Sequence, residues 1–62
     1  MASTRNFVYA CKELNLDRYK ASKALHSAKK AAGLSGDDEC EFDLITGDIL
    51  FNGEIIGSLR EP

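Results

Sequence analysis

The chain has 62 residues, 44% of them hydrophobic and 29% charged, with a net charge of −2. That length allows one domain with one small core, since a chain of this size buries only about 60% of its unfolded surface. Two cysteines without CxxC spacing exclude a disulfide framework and a zinc ribbon; no apolar run reaches membrane-spanning length, and residues 1–6 lack the basic start of a signal peptide.

Charge and hydrophobic period change together at Gly33-Leu34-Ser35-Gly36. Residues 1–36 carry seven Lys/Arg against two Asp/Glu, a balance of +5, and their apolar residues recur at helical spacing. Residues 37–62 carry one against eight, a balance of −7, and alternate as strands do. The expected fold is therefore α+β: two N-terminal helices packed on one face of a three-stranded antiparallel meander, in the order α-α-β-β-β, as a single domain over 1–62.

In chain order, Ser3 or Thr4 is placed to cap a first helix over about 4–14, with Phe7, Ala10, Cys11 and Leu14 on one face. Asn15 suits the left-handed position that ends it, and Leu16 folds back on the last turn. Asp17 caps a second helix over about 17–33. At about 100° per residue its Ala21, Ala24, Leu25, Ala28, Ala31 and Ala32 share one arc. An arc so rich in alanine permits close approach to a neighbouring element. Gly33 takes positive φ at the helix end and Leu34 packs back.

Strands are expected over about 39–44, 48–51 and 54–59. Thr46-Gly47 reads as a type I turn closing in a glycine bulge, and Asn52-Gly53 as a two-residue type I′ turn. With Ile45-Thr46-Gly47 as the first loop, Leu44 faces Asp48 and Phe42 faces Leu50. With Asn52-Gly53 as the second, Phe51 faces Glu54 and Leu50 faces Ile55. One face then holds Cys40, Phe42, Leu44, Leu50, Ile55 and Leu59 as the core, and Arg60-Glu61-Pro62 frays. Cys11 and Cys40 are expected as buried free thiols, a bridge between them being the alternative.

Two surfaces follow. The opposite sheet face gathers Ile49, Phe51 and Ile56 among Glu39, Glu41, Asp43 and Glu54, an apolar cluster with a polar rim of the kind that marks a partner surface; a register slipped by one residue, which makes the three core, and an N-terminus folded over them are the alternatives. The second helix carries Tyr19, Lys23, His26 and Lys30 in a stripe opposite its alanine arc, beside Lys20 and Ser27. Lysines with an interleaved aromatic can hold a phosphate backbone, and a solvated helix face is the plainer alternative. The chain is acidic overall, so nucleic-acid binding would rest on local asymmetry. His26 is the single histidine. It is either a surface residue or a general acid or base, with Glu41 or Asp43 as conceivable partners. Asp37-Asp38-Glu39 lacks the spaced ligands and central glycine of a calcium loop, so no metal and no cofactor are expected.

Leu25-His26, Lys29, Gly33-Leu34, Phe42-Asp43, Thr46-Gly47-Asp48, Gly53-Glu54, Ile56-Gly57 and Leu59 carry a resemblance. Over residues 25–59 the chain resembles the short tails that end some bacterial polymorphic toxins, the tip modules of contact-dependent or Rhs-type effectors. A helix pair followed by a meander also resembles part of the barnase/colicin-type ribonuclease fold. The resemblance implies an RNA-cleaving module with His26 and Lys29 as its functional positions. Apart from it, the residues point first to a small cytosolic module that binds another protein, or a copy of itself, through Ile49, Phe51 and Ile56. A toxin-like ribonuclease is the second reading. An RNA-binding module using Tyr19, Lys23 and Lys30 is the third.

Overall fold

A computed structural model describes residues 2–60. The elements in order are β1 (Ser3–Thr4), α1 (Phe7–Leu14), α2 (Arg18–Ala31), β2 (Glu41–Asp43), β3 (Asp48–Phe51) and β4 (Glu54–Ser58). The architecture is α+β, two helices with an antiparallel sheet in the order β1-β2-β3-β4. The sheet has four strands rather than the expected three. The extra one is the N-terminal Ser3–Thr4, which pairs with Asp43 and Phe42 instead of starting the first helix. The tail positions Glu61 and Pro62, expected to fray, lie outside the described residues.

Local chemistry accounts for most of the element ends. The first helix starts later than expected because Asn6 is its cap, its side chain accepting from the Tyr9 N–H at 3.1 Å. Asn15 ends it in the left-handed region at φ 56°, and the Leu16 N–H returns to the Cys11 carbonyl at 2.9 Å. Asp17 caps α2 through the Tyr19 N–H at 3.1 Å, and Leu34 N–H closes its far end on the Lys29 carbonyl at 2.9 Å. α2 ends at Ala31, two residues short of the sequence-based limit, because the chain turns at Gly33 with φ 75°.

The first hairpin departs from expectation by one residue. Phe42 faces Ile49 and Glu41 faces Leu50, so the loop is Leu44–Gly47 rather than the three residues from Ile45. The cause is the side chain of Asp43. Its Oδ1 accepts from the N–H groups of Ile45 at 2.8 Å and Thr46 at 3.1 Å, and the Gly47 N–H returns to the Asp43 carbonyl at 2.9 Å. One added loop residue turns every β3 side chain to the other face of the sheet relative to β2. The second hairpin keeps the expected start, Phe51 with Glu54 and Leu50 with Ile55. Asn52 at φ 52° and Gly53 at φ 82° form its type I′ turn. A bulge then re-aligns β4, so that Ile49 meets Gly57 and Asp48 meets Ser58.

The core is corrected accordingly. Ile49 is fully buried, with Phe42, Cys40 and Leu59, and Phe51 and Ile56 pack against the same cluster. Ile55 is 64% exposed, and Leu50 is half-buried outside the cluster. The expected core thus keeps Cys40, Phe42, Leu44 and Leu59 but loses Leu50 and Ile55. The apolar cluster expected on the outer face, Ile49, Phe51 and Ile56, belongs to the interior. α1 contributes Ala10, Cys11 and Leu14, and Phe7 meets the Phe42 ring edge-on at 5.7 Å. α2 contributes Ala21 and Ala28. It lies so close to the sheet that a Cβ built on Gly57 would stand 2.6 Å from the Ala28 Cβ. Cys11 and Cys40 are buried free thiols, and burial pushes both pKa values up, away from reactive thiolate character.

The Asp43 turn yields a testable expectation. Its hydrogen bonds from the Ile45 and Thr46 N–H groups hold the carboxyl below the usual carboxylate range. A depressed folded-state pKa gives stabilisation that is complete above the ordinary aspartate range and fades as pH falls through the lowered value. Asp43→Ala is therefore expected to melt below wild type at neutral pH, with the gap closing in acid. Thermal melts across pH check it; a gap that persists unchanged in acid would contradict the account of the turn.

Candidate anion-binding face on the second helix

α2 buries Ala21 and Ala28 of its alanine arc and half-buries Ala24 and Leu25, while Ala31 and Ala32 at its end stay exposed; this seating fixes where its charges go. Ala28 sits on Gly57, and the residues about half a turn round the helix, Tyr19, Lys23, His26 and Lys30, all point to solvent. Between Arg18 and Ala31 the helix holds five basic residues, Arg18, Lys20, Lys23, Lys29 and Lys30, and no acidic one. Among the described residues the single ion pair lies elsewhere, Arg5 to Glu41 at 3.9 Å. Among the described residues no α2 cation forms an ion pair with a carboxylate. Lys29 and Lys30 occupy the last turn, where the helix dipole also favours positive charge.

Two shallow grooves run along this face and meet at His26. One, of about 340 Å³, is lined by Tyr19, Ser22, Lys23, His26 and Ser27. The Tyr19 ring is 71% exposed, and the Lys23 Nζ stands 5.6 Å from its centroid, within cation–π range. The other, of about 500 Å³, is lined by His26, Lys29, Lys30, Gly33, Leu34 and Gly36. Its far wall is the loop after α2. The Lys29 Nζ holds that loop by donating to the Gly36 carbonyl at 3.3 Å. The Asp38 carboxylate steadies it further, accepting from the Ser35 N–H at 2.9 Å.

The structure therefore brings together five of the residues singled out from the sequence, Tyr19, Lys23, His26, Lys29 and Lys30. It does not bring Glu41 or Asp43 to His26, because both lie on β2, on the sheet face turned away from the helices, and no carboxylate lines either groove. Ile49 is fully buried, and Phe51 and Ile56 are partly buried against the same cluster, so the three do not form the exposed patch expected of them. Ser22, Gly33, Leu34 and Gly36 were missed by sequence reasoning. Ser22 shares the helix face with Tyr19 and was legible in principle, whereas the loop wall depends on how the chain folds back after Gly33.

The outer face of the sheet is a second, smaller surface. Leu50 and Ile55 pair across it, with Glu41 beside Leu50. Asp43 and Asp48 occupy the neighbouring row, paired with Ser3 and Ser58 respectively. Ser3 Oγ donates to Glu41 at 3.3 Å and Thr46 Oγ1 to Asp48 at 2.8 Å. Among the described residues no three metal-ligating side chains converge, and no helix is long and apolar enough to cross a membrane. The chain matches no protein-family model, no curated protein and no solved structure.

Proposed function

We propose that this chain is a small binding module that holds single-stranded RNA along the basic face of α2. The observation that carries this reading is the pair of grooves that share His26 in their walls, lined by cations and by no carboxylate. From Tyr19 to Lys30 the face extends about 16 Å at 1.5 Å per residue, long enough to track a strand past several charges. Lys23 and Lys30 neutralise phosphates, and the Tyr19 ring offers a stacking platform for an unpaired base. Ser22 and Ser27 add hydroxyls able to pair with a ribose 2′-OH. Binding to a partner protein through Ile49, Phe51 and Ile56 loses its support, since those side chains pack inward.

Fluorescence anisotropy of a short labelled RNA tests the proposal. Binding is expected to weaken with salt at a log–log slope of about −1.4, as for the two phosphates that Lys23 and Lys30 neutralise on a single strand. The same sequence as DNA should bind less tightly. Lys23→Glu with Lys30→Glu should lower affinity by about tenfold or more. Binding that ignores both salt and these substitutions would contradict it.

Cleavage of the bound RNA is a second reading, the one that the resemblance to toxin tip modules implies. Its support is that His26 and Lys29 line one groove, a proton-transfer group beside a cation suited to phosphate. RNA that stays intact while bound identifies a binder. Products that disappear with His26→Ala identify a nuclease.

A further inference from the structure

We infer that copies of this chain associate head to tail, the basic face of α2 in one copy seating on the outer sheet face of the next. The two surfaces are complementary in charge and in layout. On the sheet, the apolar pair Leu50–Ile55 is flanked by Asp43, Asp48 and Glu41, Arg5 balancing the last of the three alone, and Ile55 stands 64% exposed. On the helix, the 71% exposed ring of Tyr19 stands with Lys23 and ahead of Lys30 on the same stripe. An aromatic among cations thus meets an aliphatic pair among carboxylates. The Asp43 turn hydrogen bonds keep one of those carboxylates firmly in its charged form.

Geometry decides the kind of assembly. α2 packs on the inner side of the sheet through Ala28 against Gly57, so its basic stripe and the outer sheet face point in opposite directions. One molecule cannot bring its own two surfaces together, and two molecules cannot satisfy both at once. The contact is heterologous and open-ended rather than a closed two-fold dimer. It is also weak. Because its attraction is between exposed charges, salt dissolves it.

Sedimentation equilibrium of wild type and two variants tests the inference. Lys23→Glu with Lys30→Glu reverses charge on the helix face, and Ile55→Lys places a cation on the sheet face; circular dichroism verifies that both fold. At low salt the wild-type weight-average mass is expected to climb above 6.8 kDa with concentration and to return to it as salt is raised. Each variant alone should stay at the monomer mass: the first sets like charges against each other across the contact, and the second replaces the exposed apolar side chain with a cation facing the helix lysines. Mixing the two should restore association as pairs, since the unaltered helix face of the Ile55→Lys variant then meets the unaltered sheet face of the other. Wild type that stays monomeric at high concentration and low salt would overturn the inference. So would a salt-insensitive closed dimer, or a mixture that remains monomeric.

Discussion

Ile49→Ala is expected to unfold this domain or bring it to the edge of unfolding, while Leu50→Ala, one position along the same strand, is expected to leave it folded. Ile49 has no exposed surface and stands between Phe42 and Gly57 at the centre of the sheet. Truncating a buried isoleucine to alanine costs about 2–5 kcal/mol, from lost transfer energy and the cavity left behind. At roughly 0.05–0.15 kcal/mol per residue, a 62-residue domain has about 3–9 kcal/mol in total. The substitution therefore removes a large fraction of the stability. Leu50 faces outward beside Glu41 and Ile55, outside the packed cluster, and its truncation should cost about 1 kcal/mol or less. Urea melts of the two variants give the comparison directly. A larger loss for Leu50→Ala would mean that the sheet is in the other register and that its two faces are exchanged.

Gly57→Val should be as damaging for a different reason. Gly57 has no left-handed backbone requirement; what it supplies is room. A Cβ there would lie 2.6 Å from the Ala28 Cβ, far inside ordinary contact, and the nearest yielding element is the whole of α2. Overpacking of this kind costs about 1–3 kcal/mol, and a branched side chain is placed to exceed that range. Gly57→Ala isolates the single methyl, and Ala28→Gly removes its obstacle. The double variant should recover part of the loss, less the cost of about 1 kcal/mol for glycine within a helix. Recovery in the double variant shows that the two sites are coupled. A melt of Gly57→Ala superimposable on wild type would show that the helix is not seated there.

These two positions also mark where sequence reasoning succeeded and where it stopped. Caps and turns were legible because they depend on one or two residues: Asn15, Asp17 and Gly33 end or begin the helices as expected, and Asn52-Gly53 forms its turn. The alanine arc of α2 announced a close approach, and Gly57 is where it lands. The first hairpin was not legible, because a side-chain acceptor, Asp43, lengthens the loop by one residue and inverts β3. A period-two pattern cannot resolve this when Ile49, Leu50 and Phe51 are all apolar. The two-residue strand at Ser3–Thr4 carries too little pattern to signal itself. For the site, helical spacing alone placed Tyr19, Lys23, His26 and Lys30 on one face. The wall contributed by Gly33, Leu34 and Gly36 needed the loop geometry that Lys29 and Asp38 impose.

The claim on which the functional account rests is that the basic face of α2 is the working surface. Titrating the labelled protein with a short single-stranded RNA, followed residue by residue in amide NMR spectra, tests it most directly. With the protein kept dilute enough to stay monomeric, the account predicts chemical-shift changes at Tyr19, Ser22, Lys23, His26 and Lys30 that shrink as salt is raised, with Ile55 and Asp48 unmoved. Spectra that do not change at low salt, or changes centred on the outer face of the sheet, would contradict it.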